Sequence, residues 1–440
     1  MKNNILIICS HFPPGPRVGG TVRVTKLVKY LQNTSWHPII LTSNIESKAN
    51  QSKSLFDEIS KDVIIHRLPL MYPHWIKKII IKPFINLIMK IKLFLVSIFF
   101  KESHKLKSPP KKKILKSYSQ NFFIPDIGIF WSLVAGIRAI FIVFKHKPKI
   151  IMATAPFHSS IIAAYIASKI TKTPYIIDLR DPWTTNPFSR EKFIHSSSRI
   201  EESLEGTLFR SASKIICVHK NFIGPIKEKY SFLKEENFVV IPNGFDHEDF
   251  IDIEPIKYEK LSITHTGSFY QGRTPDSFIQ ALKIVEKHMR AFNAEWQINF
   301  IGTPHYQNEE KINTEIINFG VLDHKLTLKH MAGSDILLLI PGVGDSTLTG
   351  KLFEYIAVKK PILCISKEGA ASKLLKEMGI GLVADPENIN EIAESIIFLI
   401  NNLKDHDFNS KVTKYYRSNI AKSFQDTFNL ITKNSNEVIS

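Results

Sequence analysis

Cysteine is scarce: the 440-residue chain has three, Cys9, Cys217 and Cys364. They lie far apart, each inside a short apolar run, without the spacing of a metal site. That pattern reads as buried thiols in a reducing compartment and argues against a disulfide-stapled scaffold or a catalytic thiol. Acid is also in short supply, with 41 Asp and Glu against 58 Lys and Arg and a formal net charge of +17. Partners are therefore expected to be anionic: a nucleotide, a nucleic acid or the surface of an acidic membrane. The 16 histidines contain no His-x-x-x-His pair, so no metal is expected. The first apolar run, Ile5 to Cys9, is too short for a secretory signal, and no small-residue cleavage site follows it, which points to a cytoplasmic protein. The strongly apolar stretch Phe84–Phe100 is broken by Lys90 and Lys92, and a spanning helix needs ~20 predominantly apolar residues with few charges. Neither an internal repeat nor a nucleic-acid motif is present.

What is there is an alternation. With 44% hydrophobic and 22% charged residues the chain is globular, and its length suits two domains. Short apolar, mostly β-branched runs recur at 5–9, 38–41, 63–68, 149–153, 175–179 and 214–218, and again at 262–266, 297–301, 317–322, 335–340, 361–365 and 381–384. Amphipathic segments such as 22–31, 277–288 and 389–403 lie between most of them. Strand–helix alternation of this kind implies parallel sheets covered on both faces, and two series imply two doubly wound, Rossmann-like α/β domains. The turn residues Pro242-Asn243-Gly244 break an apolar strand and mark the join.

Three loops carry candidate chemistry. In the second half, Gly344-Asp345-Ser346-Thr347-Leu348-Thr349-Gly350-Lys351 leads into a helix, with Glu354 one turn further on. Backbone N–H groups at a helix start and a lysine beside them suit phosphate, while a carboxylate suits the two hydroxyls of a ribose. The alternative is an ordinary amphipathic helix. The loop Thr266–Pro275 places Gly267 after a strand and Arg273 at a helix entry, where its fork can pair with phosphate oxygens or simply face solvent. In the first half, Gly19-Gly20 opens a helix after the first strand, without the Gly-x-Gly-x-x-Gly spacing of a dinucleotide site. At two further strand ends stand His158 and the run Asp178-Leu179-Arg180-Asp181-Pro182-Trp183. Arg180 and Asp181 suit acceptor hydroxyls or phosphate, or an internal ion pair that fixes the loop.

These segments resemble family 4 glycosyltransferases, two-domain GT-B enzymes that move sugars from nucleotide-sugars. The resemblance covers nearly the whole chain outside 74–116. It rests on Glu354, on Lys360-Pro361, on Pro242-Asn243-Gly244-Phe245-Asp246, on the Gly19-Gly20 loop and on Asp178–Trp183, a run similar to one in a bacterial branch that works on surface polysaccharides. The family usually has a second glutamate where this chain has Ser346. The resemblance implies two Rossmann-like domains facing a cleft: 1–243 for the acceptor, 244–410 for the donor, and a terminal helical segment 411–440 crossing back. It implies a donor site of Gly20, Gly267, Arg273, Val321, Ser346, Thr347, Leu348, Thr349, Lys351 and Glu354. Catalytic roles would fall to His158, Arg273 and Lys351, acceptor contacts to Arg180 and Asp181, and no metal or other cofactor is called for.

The segment 74–116 mixes Trp, Ile, Leu and Phe with a dense set of lysines and one acid, Glu102. Basic and apolar residues with almost no acid suit the surface of an anionic membrane, and the alternative is a helical hairpin packed on its own domain. The expectation is a metal-independent, retaining transferase of hexosyl or N-acetylhexosaminyl units, peripheral on the inner face of the cell membrane. It would act on a lipid-linked saccharide in surface-polysaccharide biosynthesis and bind no nucleic acid. The competing readings are a nucleotide-sugar 2-epimerase on the same fold and a non-catalytic basic module that binds membrane or nucleic acid.

Overall fold

Strand Asn3–Cys9 (β1) carries Ile5-Leu6-Ile7-Ile8, all fully buried. A run that is apolar on both faces belongs in a sheet covered on both sides, as parallel sheets are. The computed structural model describes residues 2–15, 19–44, 53–69, 123–155, 157–186, 195–269, 273–291, 295–302, 312–341, 350–403 and 412–437. The basic apolar segment 74–116 lies outside the described residues, as do Ser346, Thr347, Leu348 and Thr349.

The chain divides into two compact units, Met1–Ile216 with Ile226–Val239 and Thr427–Ser440, and Cys217–Pro225 with Val240–Asp426. The first is built on β1, Trp36–Ser43 (β2), Ile64–Leu68 (β3), Ile150–Ala155 (β4), Tyr175–Leu179 (β5), Lys214–Cys217 (β6) and Phe238–Val240 (β7), in the order β3-β2-β1-β4-β5-β6-β7. Its helices are Gly19–Leu31 (α1), Lys53–Asp57 (α2), Ile129–His146 (α3), Ser159–Thr171 (α4) and His195–Ser211 (α5), and Ile223–Lys229 (α6) joins the two units. Helix α1 buries Val24, Leu27, Val28 and Leu31, the i, i+3, i+4, i+7 stripe of an amphipathic helix.

The second unit holds Leu261–Thr266 (β8), Trp296–Ile301 (β9), Glu315–Gly320 (β10), Ile336–Leu339 (β11), Ile362–Ile365 (β12) and Gly381–Ala384 (β13), in the order β10-β9-β8-β11-β12-β13. All neighbours in this sheet pair in parallel. The helices are Asp276–Ala291 (α7), His324–Gly333 (α8), Gly350–Val358 (α9), Ala370–Met378 (α10), Ile389–Asn401 (α11) and Arg417–Glu437 (α12). One face of this sheet packs on Phe278, Leu282 and Ile396, the other on Leu352, Phe353 and Ile356. Helix α12 belongs to the second unit up to Asp426 and to the first from Thr427 on. There Phe428 meets the Trp36 ring edge-on, and the Trp36 indole donates to Asn429 Oδ1 at 3.0 Å.

Helix α3 was not marked out by the sequence reading. By length and composition alone it could cross a membrane, with 39% of its residues buried in the protein. One face packs on α4, while Leu133, Ile137, Phe141 and Phe144 are exposed on the other.

Candidate functional site

Both sheets share one topological feature. In the first, β1 leads to β2 on one side while the adjacent β4 leads to β5 on the other; in the second, β8 and β11 stand in the same relation. A crevice opens outside the carboxyl ends of the strands at such a switch point, and ligands bind there. Among the described candidates, Gly20, His158, Arg180 and Asp181 follow strands of the first sheet, and Gly267, Arg273, Val321, Lys351 and Glu354 follow strands of the second.

In the first unit, Ser10 follows β1, and its hydroxyl bonds His11 Nδ1 at 2.8 Å and accepts from the Phe157 backbone at 3.3 Å. Gly20, at the entry to α1, is where Arg180 comes closest: a Cβ there would lie 2.3 Å from Arg180 Nη1. Only a residue without a side chain admits the guanidinium against the helix start. Arg180 Nε donates to Ala155 O at 2.7 Å, which links the ends of β5 and β4. Asp178 forms a buried ion pair. It meets Arg23 at 2.9 Å with both side chains almost wholly buried, and accepts from Thr154 Oγ1 at 3.0 Å. Asp181 is exposed.

His158 stands just before α4. Its ring stacks on Trp183 at 4.8 Å and 16°. Burial pushes its pKa down to about 4; a bond to the Asp181 backbone opposes this and the Arg180 charge adds to it. At neutral pH the ring is therefore uncharged. His158 keeps part of its surface accessible, yet its Nε2 is covered and has no hydrogen-bond partner among the described residues. Trp183 Nε1 donates to Glu201 Oε1 at 2.7 Å.

In the second unit, three strand ends converge. Gly302 N donates to Gly320 O at 2.6 Å, and Ser268 Oγ donates to Gly302 O at 2.7 Å. Gly267 has φ +143 and Gly302 φ +90, backbone states that a side chain resists. Val321, just beyond, is 78% exposed. Behind this rim Tyr355 of α9 accepts from Thr266 N at 2.8 Å and donates to Leu338 O at 3.1 Å. The tyrosine thus fixes α9 to β8 and β11 and sets the position of its neighbour Glu354.

Glu354 pairs with Lys351 Nζ at 2.7 Å and with His324 Nε2 at 3.4 Å. Burial alone would raise its pKa, but Lys351 and His324 outweigh that and hold the carboxyl far below its usual range. The result is a half-buried, ionised carboxylate with a lysine one turn before it at a helix entry.

His265 was missed by the sequence reading. It sits near the end of β8, 5% exposed, stacked on Phe269 at 4.7 Å and 17°. Its Nδ1 lies 3.0 Å from Leu338 O, an acceptor, so Nδ1 carries the proton. Nε2 is then a lone-pair acceptor, and it is buried without a partner among the described residues. Burial pushes the pKa down to about 4; the Leu338 bond opposes this, and the Arg273 and Lys351 charges add to it. Arg273 and Lys351 therefore act on one ring although 78 residues separate them in sequence. A lone histidine in a strand carries no local signal, and neither does His324.

Within either unit, the described residues bring no three His, Cys, Asp or Glu side chains to metal-ligand distances of one another.

No protein-family model matches the chain, and no curated protein sequence matches it. Solved structures do. A glycosyltransferase from Rickettsia africae aligns over 99% of this chain and 97% of its own, with a TM-score of 0.56 and 15% identity. The lipopolysaccharide outer core galactosyltransferase WaaB aligns over 96% and 98%, with a TM-score of 0.53 and 13% identity. A UDP-GlcNAc 2-epimerase from Methanocaldococcus jannaschii aligns over 98% and 100%, with a TM-score of 0.52 and 10% identity. At such identities the likeness is one of fold: the two Rossmann-like α/β units are those of the GT-B glycosyltransferase fold, which this epimerase shares.

Proposed function

We propose that the protein transfers a hexosyl or N-acetylhexosaminyl unit from a nucleoside-diphosphate sugar to a saccharide acceptor. One observation carries this reading: the ionised Glu354, with Lys351 one turn away, at the switch point of the second sheet. A carboxylate held ionised suits the paired hydroxyls of a ribose, and Lys351, Arg273 and the helix entry suit the diphosphate. As the diphosphate departs, these fixed positive charges stabilise the negative charge that develops on it. Side chains then do what a divalent ion does elsewhere, and turnover needs no metal. The acceptor is taken by the first unit near Gly20, Arg180, Asp181 and His158. His158 is neutral and offers Nε2 as an acceptor to a sugar hydroxyl. Retention of configuration follows from the resemblance to family 4 enzymes. The loop with Ser346, Thr347, Leu348 and Thr349 completes the donor site in this reading, with Ser346 in place of the usual glutamate.

A lipid-linked acceptor and a place on the inner face of the cell membrane, in surface-polysaccharide biosynthesis, extend the proposal. Their support is the basic apolar sequence 74–116 and the exposed Leu133, Ile137, Phe141 and Phe144 of α3. The epimerase likeness keeps a second reading, isomerisation of a free nucleotide-sugar.

A panel of nucleotide-sugars with lipid-linked and free acceptors decides between them. Transfer that requires acceptor, together with a thermal shift on adding nucleoside diphosphate, supports the proposal. Isomerised nucleotide-sugar without acceptor favours the epimerase. No shift with any nucleoside diphosphate overturns both.

A further inference from the structure

Helix α5 puts two glutamates one turn apart on one face, Glu201 and Glu205, both almost wholly buried. They accept from consecutive residues of the loop that follows β5. Trp183 Nε1 donates to Glu201 Oε1 at 2.7 Å. Thr184 N donates to Glu205 Oε1 at 3.3 Å, and the Thr184 hydroxyl donates to Glu205 Oε2. Tyr230 OH adds a bond to Glu205 Oε2 at 2.7 Å, and Lys229 Nζ reaches Thr184 Oγ1 at 2.9 Å. Burial of two carboxylates is costly, and apolar side chains could cover a loop at less cost. What the carboxylates add is direction. An indole N–H has one donor, so the oxygen that takes it sets the plane of the ring. The ring so oriented is the one on which His158 lies, nearly parallel.

We propose that Glu201, through Trp183, is a positioning residue for the His158 imidazole, and that Glu205 holds the same loop in register. The chain of contacts runs from α5 to the loop after β5 and on to the residue that opens α4, all within the first unit. The Glu201 carboxyl carries no proton to substrate; it fixes a plane. Trp183 serves as the plate against which the imidazole lies, while Nε2 has no hydrogen-bond partner among the described residues. Burial raises the Glu201 pKa; the Trp183 bond opposes this, the charges of Glu205 and Asp126 add to it, and Lys229 lowers it. An amide oxygen at the same place can accept the same indole N–H, which gives the idea a conservative control.

The inference about catalysis rests on the transferase reading, but the geometry does not, so the test has two arms. Full-length protein is labelled with 13C,15N-histidine, and the His158 ring signals are assigned by comparison with His158→Gln. Stacking on an indole shifts ring protons by ring current, so the His158 signals report the plate directly. Glu201→Gln keeps an oxygen for Trp183 and is expected to leave them in place. Glu201→Leu fills the volume without an acceptor and is expected to shift them. Trp183→Phe is expected to move them further. If Glu201→Leu folds and leaves the His158 signals where they are in wild type, the positioning role is wrong. Should Glu201→Leu fail to fold, Glu201→Met, which also lacks the carboxylate acceptor, replaces it with the same criterion. In the activity arm, Glu201→Leu is expected to lower kcat on the order of 10–100-fold, the scale of a misplaced group, with nucleotide affinity unchanged and activity restored in Glu201→Gln. A fall in nucleotide affinity with kcat unchanged overturns it. Absence of transfer in wild type refutes the transferase reading and leaves the spectroscopic arm to judge the positioning role.

Discussion

Removing His265 is expected to flatten the acid sensitivity of the second unit. The imidazole has a pKa near 6.5 when unfolded and about 4 in place, pushed down first by burial and then by the Arg273 and Lys351 charges. The folded pKa lies below the unfolded one. Between pH 6.5 and 4 the unfolded chain therefore binds more protons than the folded one, and stability falls as pH falls through that window. The ceiling is set by the shift: at 1.36 kcal/mol per unit it is about 3 kcal/mol. At pH 7 almost none of it is lost, and by pH 5 about 2 kcal/mol is gone. The variant of choice is His265→Phe. Phenylalanine keeps the stack on Phe269, and Leu338 O retains the hydroxyl of Tyr355 as a donor. Urea unfolding of wild type and variant at pH 7, 6 and 5, followed by far-UV circular dichroism, gives two stability curves. The variant starts lower at pH 7 from lost packing, and the gap closes by about 2 kcal/mol towards pH 5. Curves that stay parallel refute the reasoning, because His265 would then be protonated alike in both states.

Four other outcomes are expected. Glu354→Gln weakens nucleoside diphosphate binding about tenfold or more, since a charge-assisted bond is worth about 1.5–3 kcal/mol; unchanged affinity by calorimetry removes Glu354 from the site. Gly20→Ala drives the Arg180 guanidinium off the α1 entry, because the new Cβ falls within 2.6 Å of three of its atoms; kcat/KM is expected to drop with the melting temperature little changed, and equal kcat/KM counts against Arg180. Turnover is expected to persist in EDTA, and its loss with recovery in magnesium or manganese would show that a metal does the work assigned to Arg273 and Lys351. Wild type is expected to float with anionic vesicles in a salt-sensitive way, and a variant with Lys90, Lys92, Lys111, Lys112 and Lys113 changed to Gln to float less; equal flotation of the two defeats the membrane reading of 74–116.

The strands were legible because their signal is local. The twelve apolar runs picked from sequence all coincide with strands, and the thirteenth strand, Phe238–Val240, is the apolar run that Pro242-Asn243-Gly244 breaks. Helix α3 was not, since its residues are apolar nearly all round and give no clean period. At the site, Lys351 and Glu354 were legible together because one helical turn joins them. His324 meets Glu354 across 30 residues, Tyr355 meets Thr266 across 89, and Glu201 meets Trp183 across 18. Contacts of that span are made by the order of strands in the sheet, which no short window of sequence displays. The run Asp178-Leu179-Arg180-Asp181 did not reveal in sequence how its members divide: Asp178 faces inward to Arg23, 155 residues away, while Arg180 lies against Gly20.

Helix α12 has a consequence for the order in which the chain can be completed during synthesis. Its second half packs into the first unit, where Phe428 and Asn429 finish the surroundings of Trp36. Until residues beyond Thr427 have left the ribosome, the first unit has an open slot beside β2, with an indole N–H awaiting its acceptor. The domain made first is therefore closed last. A nascent chain holds that slot open while nearly 200 residues of the second unit are made, and exposed apolar surface of this kind is what chaperones bind. Cutting the chain after Asp426 is expected to leave the second unit intact and the first one short of its final contact.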